Sequence, residues 1–385
     1  MVENKSSQRN FEPMISIIIP VRNAERTLKT TFEYMSEIDY PREKMELIMA
    51  DGDSTDSTVD IIKDFQKKNK WVKFVQVKNC KTPGHARNAA IKEVKGDYVL
   101  FTDGDCAPKP DWAYELVKPF KNAEIGGVGG EVLTLRVEPD NWTESYCEQT
   151  FFLSPRGRCG IQSSGMMPTI TKGYPHEVNG GDNSPFFATA NFAVSTEAIK
   201  KIGGEFWDQP TGEDVDFSFR IMEAGYKLYY SKEAVVSHMH RVSLEQFKKQ
   251  YYGYGYGHPL LINKHAKTKG LEIYIQYGKI NFMIPFPKKG IIHVGNFHMM
   301  RLSFAIAIIS TILSILFNIL GGLSTISILS LLFFSALYFR PILKLKPLNK
   351  FFTFAKIRYA SNKAFYQGAK DGQKVFNAIC IEPSW

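Results

Sequence analysis

The sequence contains little cysteine and has no apolar leader at its start. Five of its 385 residues are cysteine, an odd number with no metal-like spacing, so no disulfide framework is predicted. A reducing, cytoplasmic environment fits this composition. Residues 1–13 are polar, so we expect a disordered N-terminus and no cleavable signal peptide. No internal repeat is present, and the length suits one large domain with a small additional module.

Charged residues are absent from residues 302–339. A helix that spans a bilayer needs about 20 consecutive apolar residues. Residues 302–320 and 325–339 fit two such spans, which are joined by the turn Gly321–Ser324. A buried hairpin of a soluble protein is the alternative, but each of its helices would show a polar stripe, and neither segment does. The sequence therefore predicts two transmembrane helices.

Basic residues are concentrated around and after this apolar stretch. The net charge is +9, and residues 301–385 contain ten lysines and arginines but two acids. Basic residues flank the hairpin and none lies in its turn, so both ends are expected on the cytoplasmic side of a multi-pass membrane protein. We predict a juxtamembrane, interfacial segment over 259–301 and a basic interfacial tail over 340–385, with one helix over 351–379, attracted to anionic lipid. Nucleic acid is not an expected partner.

Strand-like and helix-like patterns alternate in the first part of the chain. Apolar runs at Met14–Pro20, Met45–Ala50, Val72–Val77 and Tyr98–Thr102 predict strands, and the segments between them predict helices. Repeated β-α-β units imply a parallel sheet with helices on both faces. Right-handed crossovers bring the loops after these strands to one edge of the sheet. The predicted fold class is α/β.

Two carboxylates follow the fourth predicted strand, in Asp103-Gly104-Asp105. Ligands of open α/β sheets bind beyond the carboxyl ends of the strands. Mg²⁺ is typically held by one or two carboxylates together with substrate phosphates. The motif therefore indicates a metal bridge to a diphosphate, although Asp-Gly is also a common turn dipeptide.

Seven short motifs occur in one order along the chain. They are Pro20–Glu25, Asp51–Thr58, Gly84–Asn88, Thr102–Asp105, Ala190–Asn191, Gly212–Asp216 and His238–Arg241. As a set they resemble a family 2 glycosyltransferase with the GT-A fold, a Rossmann-like mixed sheet, over residues 14–258. The membrane segments extend the resemblance to membrane-anchored enzymes of the succinoglycan or lipid-linked saccharide type. The resemblance implies transfer of a sugar from a nucleotide-diphosphate-sugar, with inversion at the anomeric carbon.

The resemblance also assigns donor and metal contacts. The donor contacts it implies are Pro20, Arg22, Asn23, Glu25, Asp51, Asp53, Arg87, Asn88, Asp103 and Gly104. Asp51 would accept a hydrogen bond from the nucleobase, and Arg22 and Arg87 are candidates for phosphate or base contacts because a guanidinium offers forked donors. Mn²⁺ or Mg²⁺ would be held by Asp103 and Asp105, with His238 preferred to His240 as a third ligand.

Inversion requires a base that removes a proton from the acceptor hydroxyl. Three acids cluster in Gly212–Asp216, at the start of a predicted helix. The helix dipole also favours acids in a first turn, which gives the cluster a purely structural alternative. The resemblance makes Asp214 the base, with Glu213 as its neighbour and an acceptor contact.

Three further residues are predicted near the acceptor or the donor diphosphate: Asn191, and Gln246 and Lys249 in a helical segment that begins at Ser243. The Gln-x-x-Arg-Trp pattern of processive polymerases is absent, which favours addition of a single sugar. The glycines of Gly253–Gly257 suggest a flexible, partly buried loop. Residues 141–185 have few periodic signals and many small residues, and we interpret them as an acceptor-facing lid.

Together these observations predict a membrane-anchored, metal-dependent, inverting glycosyltransferase of cell-surface polysaccharide or glycan biosynthesis. Its acceptor is expected to be a polyprenyl phosphate or a lipid-linked oligosaccharide, because anchoring at the bilayer raises the effective concentration of a membrane-bound acceptor. A metal-dependent nucleotidyltransferase and a non-catalytic membrane scaffold with the same fold are the two alternatives. The donor sugar and base and the identity of the acceptor stay open.

Overall fold

The computed structural model describes residues 10–159, 161–168, 185–266, 269–275, 280–317 and 321–381. Two compact units are formed: the first comprises residues 1–139, 150–171 and 183–240, and the second comprises residues 140–149, 172–182 and 241–385. The boundary predicted at residue 258 thus falls inside the second unit. Residues 1–9 of the predicted disordered N-terminus and residues 169–184 of the predicted lid lie outside the described residues.

The first unit is built on nine described strands, numbered with those of the whole chain. They are β1 (Ile15–Val21), β2 (Met45–Asp51), β3 (Val72–Gln76), β4 (Tyr98–Phe101), β5 (Cys106–Pro108), β6 (Ile125–Leu135), β7 (Gly165–Met166), β8 (Phe192–Ser195) and β9 (Lys227–Met239). Their order in the sheet is β3-β2-β1-β4-β8-β6-β9-β5, and β7 pairs with β9. The four strands predicted from the sequence are therefore confirmed, with ends within two residues.

The sheet is mixed. β1 pairs in parallel with β2 and β4, and β2 pairs in parallel with β3. β8 runs antiparallel to both β4 and β6, whereas β6 and β9 are parallel. This is the mixed α/β arrangement that the GT-A resemblance implies, with the parallel strands on one side and the antiparallel pairing beginning at β8.

Helices cover both faces of this sheet. They are α1 (Leu28–Ser36), α2 (Thr58–Lys68), α3 (Pro83–Ile91), α4 (Trp112–Val117), α6 (Pro155–Cys159), α7 (Thr196–Lys201) and α8 (Glu213–Glu223). Every residue of β1 and β2 is buried, as expected of strands covered on both sides. Alternate residues feed two separate cores: Ile17 and Ile19 enter one, and Ile18 enters the other.

The second unit combines helices with a small sheet. Its helices are α5 (Trp142–Gln149), α9 (Leu244–His265), α10 (Asn296–Phe317), α11 (Gly321–Phe339) and α12 (Phe351–Phe376). Its strands are β10 (Gly270–Ile275), β11 (Ile280–Ile284), β12 (Lys289–Val294) and β13 (Ile379–Ile381), in the order β11-β10-β12-β13. This sheet occupies much of the segment predicted as juxtamembrane, and the sequence reading missed it.

One prediction for the second unit is wrong. Residues 253–257 form part of helix α9 and not a loop. Gly255 serves packing, because a Cβ there would lie 2.0 Å from the carbonyl oxygen of Phe365 in α12. The helix predicted over 351–379 is confirmed as α12, which packs against α9 and buries Phe354 and Ile357, and its interfacial position stays a prediction.

Helices α10 and α11 form the predicted apolar hairpin. Segments Asn296–Leu316 and Leu323–Lys344 are long and apolar enough to cross a membrane, and only 22% and 17% of their most apolar windows are buried. Hydroxyl pairs join the helices, Ser303 with Ser330 and Thr311 with Ser324, each at 2.9 Å. α11 is longer than the 15 residues predicted for the second span, because its helix extends to the described start at Gly321.

Candidate active site

The Asp103-Gly104-Asp105 turn is anchored on α1. The carbonyl oxygen of Gly104 accepts hydrogen bonds from the hydroxyls of Thr27 at 2.7 Å and Thr31 at 3.0 Å. A Cβ at position 104 would lie 2.6 Å from Cγ1 of Val21, so the turn needs glycine at its centre. These contacts fix the backbone between the two carboxylates. Thr27 and Thr31 had no signal in the sequence, because their role depends on a turn far along the chain.

Asp105 and His238 are brought together by strand pairing. β5 runs antiparallel to β9, and Cys106 lies opposite His238 in the register. His238 Nε2 lies 3.4 Å from Asp105 Oδ1, and ligand atoms of Asp105, Cys106 and His238 all lie within 4.8 Å of one another. β5 has three residues, too few to predict, so the sequence could not reveal Cys106 as a neighbour of this pair.

The donor set fits a divalent transition-metal ion. His238 is 8% exposed, and its Nδ1 is buried without a hydrogen-bond partner among the described residues. A carboxylate with an imidazole suits Mn²⁺ better than Mg²⁺, which prefers oxygen ligands throughout. Burial, together with Asp105 and Asp103, raises the pKa of the Cys106 thiol well above its ordinary value. Asp105 and His238 supply the carboxylate oxygen and imidazole nitrogen, which are ligand types suited to Mn²⁺.

The second histidine of the motif has a different role. The His240 ring stacks on the His238 ring with centroids 5.1 Å apart, and its Nε2 lies 2.9 Å from the Thr134 hydroxyl. His238 therefore lies beside the Asp105 carboxylate, and His240 lies against the His238 ring. This arrangement supports the prediction that His238 is the metal ligand of the two.

Arg87 connects two of the predicted acidic motifs. Its Nη2 donates to Asp103 Oδ1 at 3.0 Å, and its Nη1 donates to Glu213 Oε1 at 2.9 Å. The Arg87 side chain is 3% exposed, whereas that of Asp103 is 29% exposed. The guanidinium that we predicted to contact the donor is thus occupied by two carboxylates. One Asp103 oxygen faces Arg87, which leaves its predicted metal contact to the other oxygen.

Asp51 offers an open acceptor at the end of β2. The residue is fully buried, and its Oδ2 accepts a hydrogen bond from the Ser54 backbone at 3.1 Å. Its Oδ1 has no hydrogen-bond partner in the part of the chain that the structure describes. A buried carboxylate oxygen without a partner is costly, so a donor from a ligand is expected there. Cys80 connects Asp51 to Arg22. Arg22 Nη1 donates to the Cys80 carbonyl oxygen at 3.2 Å, and the Cys80 Sγ would lie 3.3 Å from a Cβ on Gly52, the residue after Asp51.

Several residues predicted as donor contacts instead join three loops. Asn23 Oδ1 accepts from the Thr55 amide at 2.9 Å, and Glu25 Oε2 accepts from the Ser57 amide at 3.1 Å. Asp53 has a left-handed backbone, with φ of 66°, and accepts from the Asn79 amide at 3.2 Å. Pro20 is buried within β1. These contacts hold the β1–α1, β2–α2 and β3–α3 loops together and so fix the backbone around the site.

The structure does not support ligand contacts for two asparagines. The Asn88 side chain pairs with both backbone groups of Phe206, at 2.9 Å and 2.6 Å. Asn191 is 1% exposed; its Oδ1 accepts from the Trp112 indole, and its Nδ2 donates to the carbonyls of Glu131 and Ala234, all at 2.8 Å. Its amide is thus used inside the protein, and its predicted contact with the acceptor or diphosphate stays a prediction.

The first turn of α8 carries the candidate base. Gly212, with φ of 82°, precedes the helix, which begins at Glu213. Glu213 Oε1 is taken by Arg87, and Asp216 Oδ2 is taken by Arg220 Nε at 2.8 Å in a fully buried position. Asp214 is half-buried and accepts from the Val215 amide through Oδ1. Arginines thus pair with Glu213 and Asp216, and the assignment of Asp214 as the base stays a prediction.

Gln246 and Lys249 lie in the second unit, on exposed positions of the first turns of α9. Their predicted role at the donor diphosphate stays a prediction.

These features define a class of protein. Acidic loops lie at the ends of the strands of a mixed α/β sheet, an Asp–His pair suits a metal ion, and an acid begins a helix of the same unit. This arrangement is the one expected of a GT-A-type transferase. Residues 16–203 match the family model described as Glycosyl transferase family 2. Residues 16–203 therefore contain a family 2 glycosyltransferase domain, which supports a glycosyltransferase over the nucleotidyltransferase and scaffold alternatives.

Characterised relatives share this domain. The chain is 27% identical over 287 residues to a dolichyl N-acetyl-alpha-D-glucosaminyl phosphate 3-beta-D-2,3-diacetamido-2,3-dideoxy-beta-D-glucuronosyltransferase of Methanococcus voltae, covering 71% of this chain and 78% of that protein. It is 26% identical over 261 residues to the pre-mycofactocin glycosyltransferase of Mycobacterium tuberculosis, covering 67% of this chain but 50% of that protein. A mannosyltransferase from Pyrobaculum calidifontis, solved with GDP-Man and Mn²⁺, aligns with a TM-score of 0.47 at 18% identity, over 64% of this chain and 63% of that chain.

Proposed function

We propose that this glycosyltransferase moves a sugar from a nucleotide-diphosphate-sugar to a lipid-linked acceptor at the cytoplasmic face of a membrane, with Asp214 as the general base. The observation that carries the proposal is the link that Arg87 makes between the Asp103 loop and Glu213, in the acidic first turn of α8. The half-buried Asp214 follows Glu213 in that turn. The acceptor is expected to be a polyprenyl phosphate or a lipid-linked oligosaccharide.

The donor would be recognised at the strand ends. Asp51 Oδ1, buried and without a partner among the described residues, would accept an N–H from the nucleobase. Asp105, His238 and the second oxygen of Asp103 would hold a divalent ion, Mn²⁺ before Mg²⁺. When bound, such an ion supplies positive charge that stabilises the departing nucleoside diphosphate.

The chain's own groups orient the reaction. Arg87 links the loop that carries Asp103 to the helix that carries Asp214, so the donor side and the base side share one rigid connection. Asp214 would accept the proton from the acceptor hydroxyl as that oxygen attacks the anomeric carbon. Such a base acts within about 2.6–3.2 Å of the hydroxyl oxygen.

Two features support a membrane-bound acceptor. The α10–α11 hairpin exposes large apolar side chains, such as Ile315 at 78% and Ile326 at 65%. A bilayer would cover these side chains. The Methanococcus voltae relative is named for a dolichyl phosphate-linked substrate, and the present chain covers most of its length. Basic residues that flank the hairpin favour the cytoplasmic orientation.

Asp214→Asn tests the proposal. We expect sugar transfer to fall by at least about 10²-fold, the lower range for loss of a general base, while donor binding is retained. Donor binding is measured by thermal shift with UDP-, GDP- and TDP-sugars, with and without Mn²⁺, because a bound ligand raises the melting midpoint. Transfer is measured as labelled sugar extracted with the lipid phase.

Asp216→Asn is the matched control. It removes a carboxylate from the same helical turn, so it should lower stability and leave the chemical step largely intact. Normal turnover of Asp214→Asn would contradict the assignment of the base. Label that stays in the aqueous phase with a soluble acceptor would contradict the lipid-linked acceptor.

A further inference from the structure

The small sheet of the second unit has an outer face made of apolar side chains. In one row of side chains that crosses all four strands, Phe282, Ile273, Ile292 and Ile381 are paired neighbours. Phe282 is 47% exposed, and the other three are half-buried. Parallel and antiparallel partners in register share a face of the sheet, so this row is one continuous apolar strip.

The opposite face is buried and mixes polar with apolar residues. Glu272 is 7% exposed, Tyr274 is 3% exposed and His293 is 1% exposed, the Tyr274 hydroxyl donates to Glu272 at 2.9 Å, and the fully buried Ile291 lies in register with Glu272. A half-solvated sheet in water shows polar side chains on its outer face, whereas the outer face of this sheet is apolar. The outer face is therefore suited to an apolar medium.

The edge strand β11 extends this apolar surface around the sheet. Ile280, Met283 and Phe286 are 55%, 44% and 40% exposed, and Met283 points to the face opposite that of Phe282. A protein partner packed on the sheet would cover one face only. Pro285 and Pro287, which follow β11, lack the N–H groups needed to pair with another strand beyond Ile284.

The sheet is also attached directly to the apolar hairpin. β12 ends at Val294, and α10 begins at Asn296, with Gly295 between them. Lys269 and Lys288 are exposed beside the starts of β10 and β12. A surface that is apolar, continuous with a membrane-length helix and bordered by cations is complementary to an anionic lipid surface.

We propose that the open face of this sheet, together with β11, inserts into the boundary between the headgroups and the acyl chains of the bilayer. The inference rests on the membrane anchoring proposed above for the α10–α11 hairpin. Insertion is shallow, about 5–10 Å, as for other interfacial elements. Among the described strands β11 lies at the edge of the sheet, and its outward backbone groups need water or headgroups as partners, which excludes a position in the hydrocarbon core.

Site-specific probes test this in the full-length protein reconstituted into anionic phosphatidylglycerol-containing vesicles. Phe282→Cys and Ile292→Cys are each labelled with the environment-sensitive fluorophore NBD. The four described native cysteines are buried, and unmutated protein taken through the same labelling provides the background. Lipids with a nitroxide near the headgroup or near the chain end then quench the probes according to depth.

The probes at 282 and 292 should emit at shorter wavelength than a control probe on Lys67→Cys, an exposed position of α2 in the first unit. They should also be quenched more strongly by the shallow nitroxide than by the deep one. A probe on Ile315→Cys reports on the hairpin and should favour the deep nitroxide.

Emission at 282 and 292 equal to that at 67, with the probe at 315 quenched, would overturn this inference and leave the anchoring intact. An unquenched probe at 315 would instead overturn the anchoring. Probes at 282 and 292 that are shielded from aqueous iodide but not quenched by either lipid would show a protein cover, and this result also overturns the inference.

Discussion

Replacing Arg87 with alanine should slow sugar transfer by much more than the accompanying loss of stability explains. The side chain is 3% exposed and makes two charge-assisted hydrogen bonds, 3.0 Å to Asp103 and 2.9 Å to Glu213. Leaving a charged partner unpaired costs about 1.5–3 kcal/mol for each bond. Asp103 is 29% exposed, so water partly replaces its lost partner, and we expect a loss of about 3 kcal/mol in the free energy of unfolding.

This loss corresponds to a fall of about 6–12 °C in melting temperature for a domain of this size. The effect on catalysis is larger, because Arg87 connects the loop of Asp103 to the helix of Asp214. A displacement of about 1 Å between reacting groups can cost about 10²-fold in rate. Transfer rates under saturating donor, measured well below the lowered melting temperature, separate the two effects.

Arg220→Ala supplies the comparison. Arg220 also pairs with a buried carboxylate, Asp216, and binds the carbonyls of Ile202 and Glu205. We expect a similar fall in melting temperature with a rate within a few-fold of the unmutated enzyme. The reasoning is refuted if Arg87→Ala keeps a near-normal rate, or if Arg220→Ala loses as much. Arg87→Lys, which keeps one cation but not both bonds, should lie between.

Three further outcomes follow from the geometry. Asp51→Asn should weaken donor binding about tenfold or more in calorimetric titrations, since it changes a buried carboxylate whose Oδ1 has no hydrogen-bond partner among the described residues. His238→Ala should weaken Mn²⁺ binding, which is measured by the electron paramagnetic resonance signal of free Mn²⁺. His240→Ala should lower the Mn²⁺ affinity by at most about 10–100-fold, as for groups that orient a metal ligand. Gly368→Ala should destabilise the second unit by about 1–3 kcal/mol, because its Cβ would lie 2.1 Å from the Tyr252 carbonyl oxygen. Gly253→Ala should stabilise α9 slightly, because a Cβ there meets open space. The melting temperatures of the two variants measure both effects.

The sequence predicted the first unit well, because its strands are apolar runs that local periodicity reports directly. β1 and β2 are buried throughout, and their ends set the positions of the acidic loops. The second unit was less predictable. The glycines at 253, 255 and 257 suggest a loop by composition, and only the close approach of α12 to Gly255 explains why they lie in a helix. Such an approach depends on a partner more than a hundred residues away, which no local window contains.

The small sheet was missed for a different reason. In Leu271-Glu-Ile-Tyr-Ile275, polar and apolar residues alternate as in an ordinary half-buried strand. Alternation alone does not say which set faces the outer medium, and the structure buries Glu272 and Tyr274 while it leaves Ile273 half-exposed. The pattern becomes informative only when the strand is seen beside the apolar hairpin.

Within the active site, the motif residues divide according to whether the protein itself uses their polar atoms. Asn191 uses its amide in hydrogen bonds to Trp112 and two backbone carbonyls, so the construction of the site is enough to explain its presence in a motif. Asp51 and His238 each keep a buried polar atom without a hydrogen-bond partner among the described residues. A folded protein tolerates such an atom only at a cost, and a ligand that supplies the missing partner recovers it. The two kinds of residue are indistinguishable in the sequence, and they differ only in this accounting of hydrogen bonds.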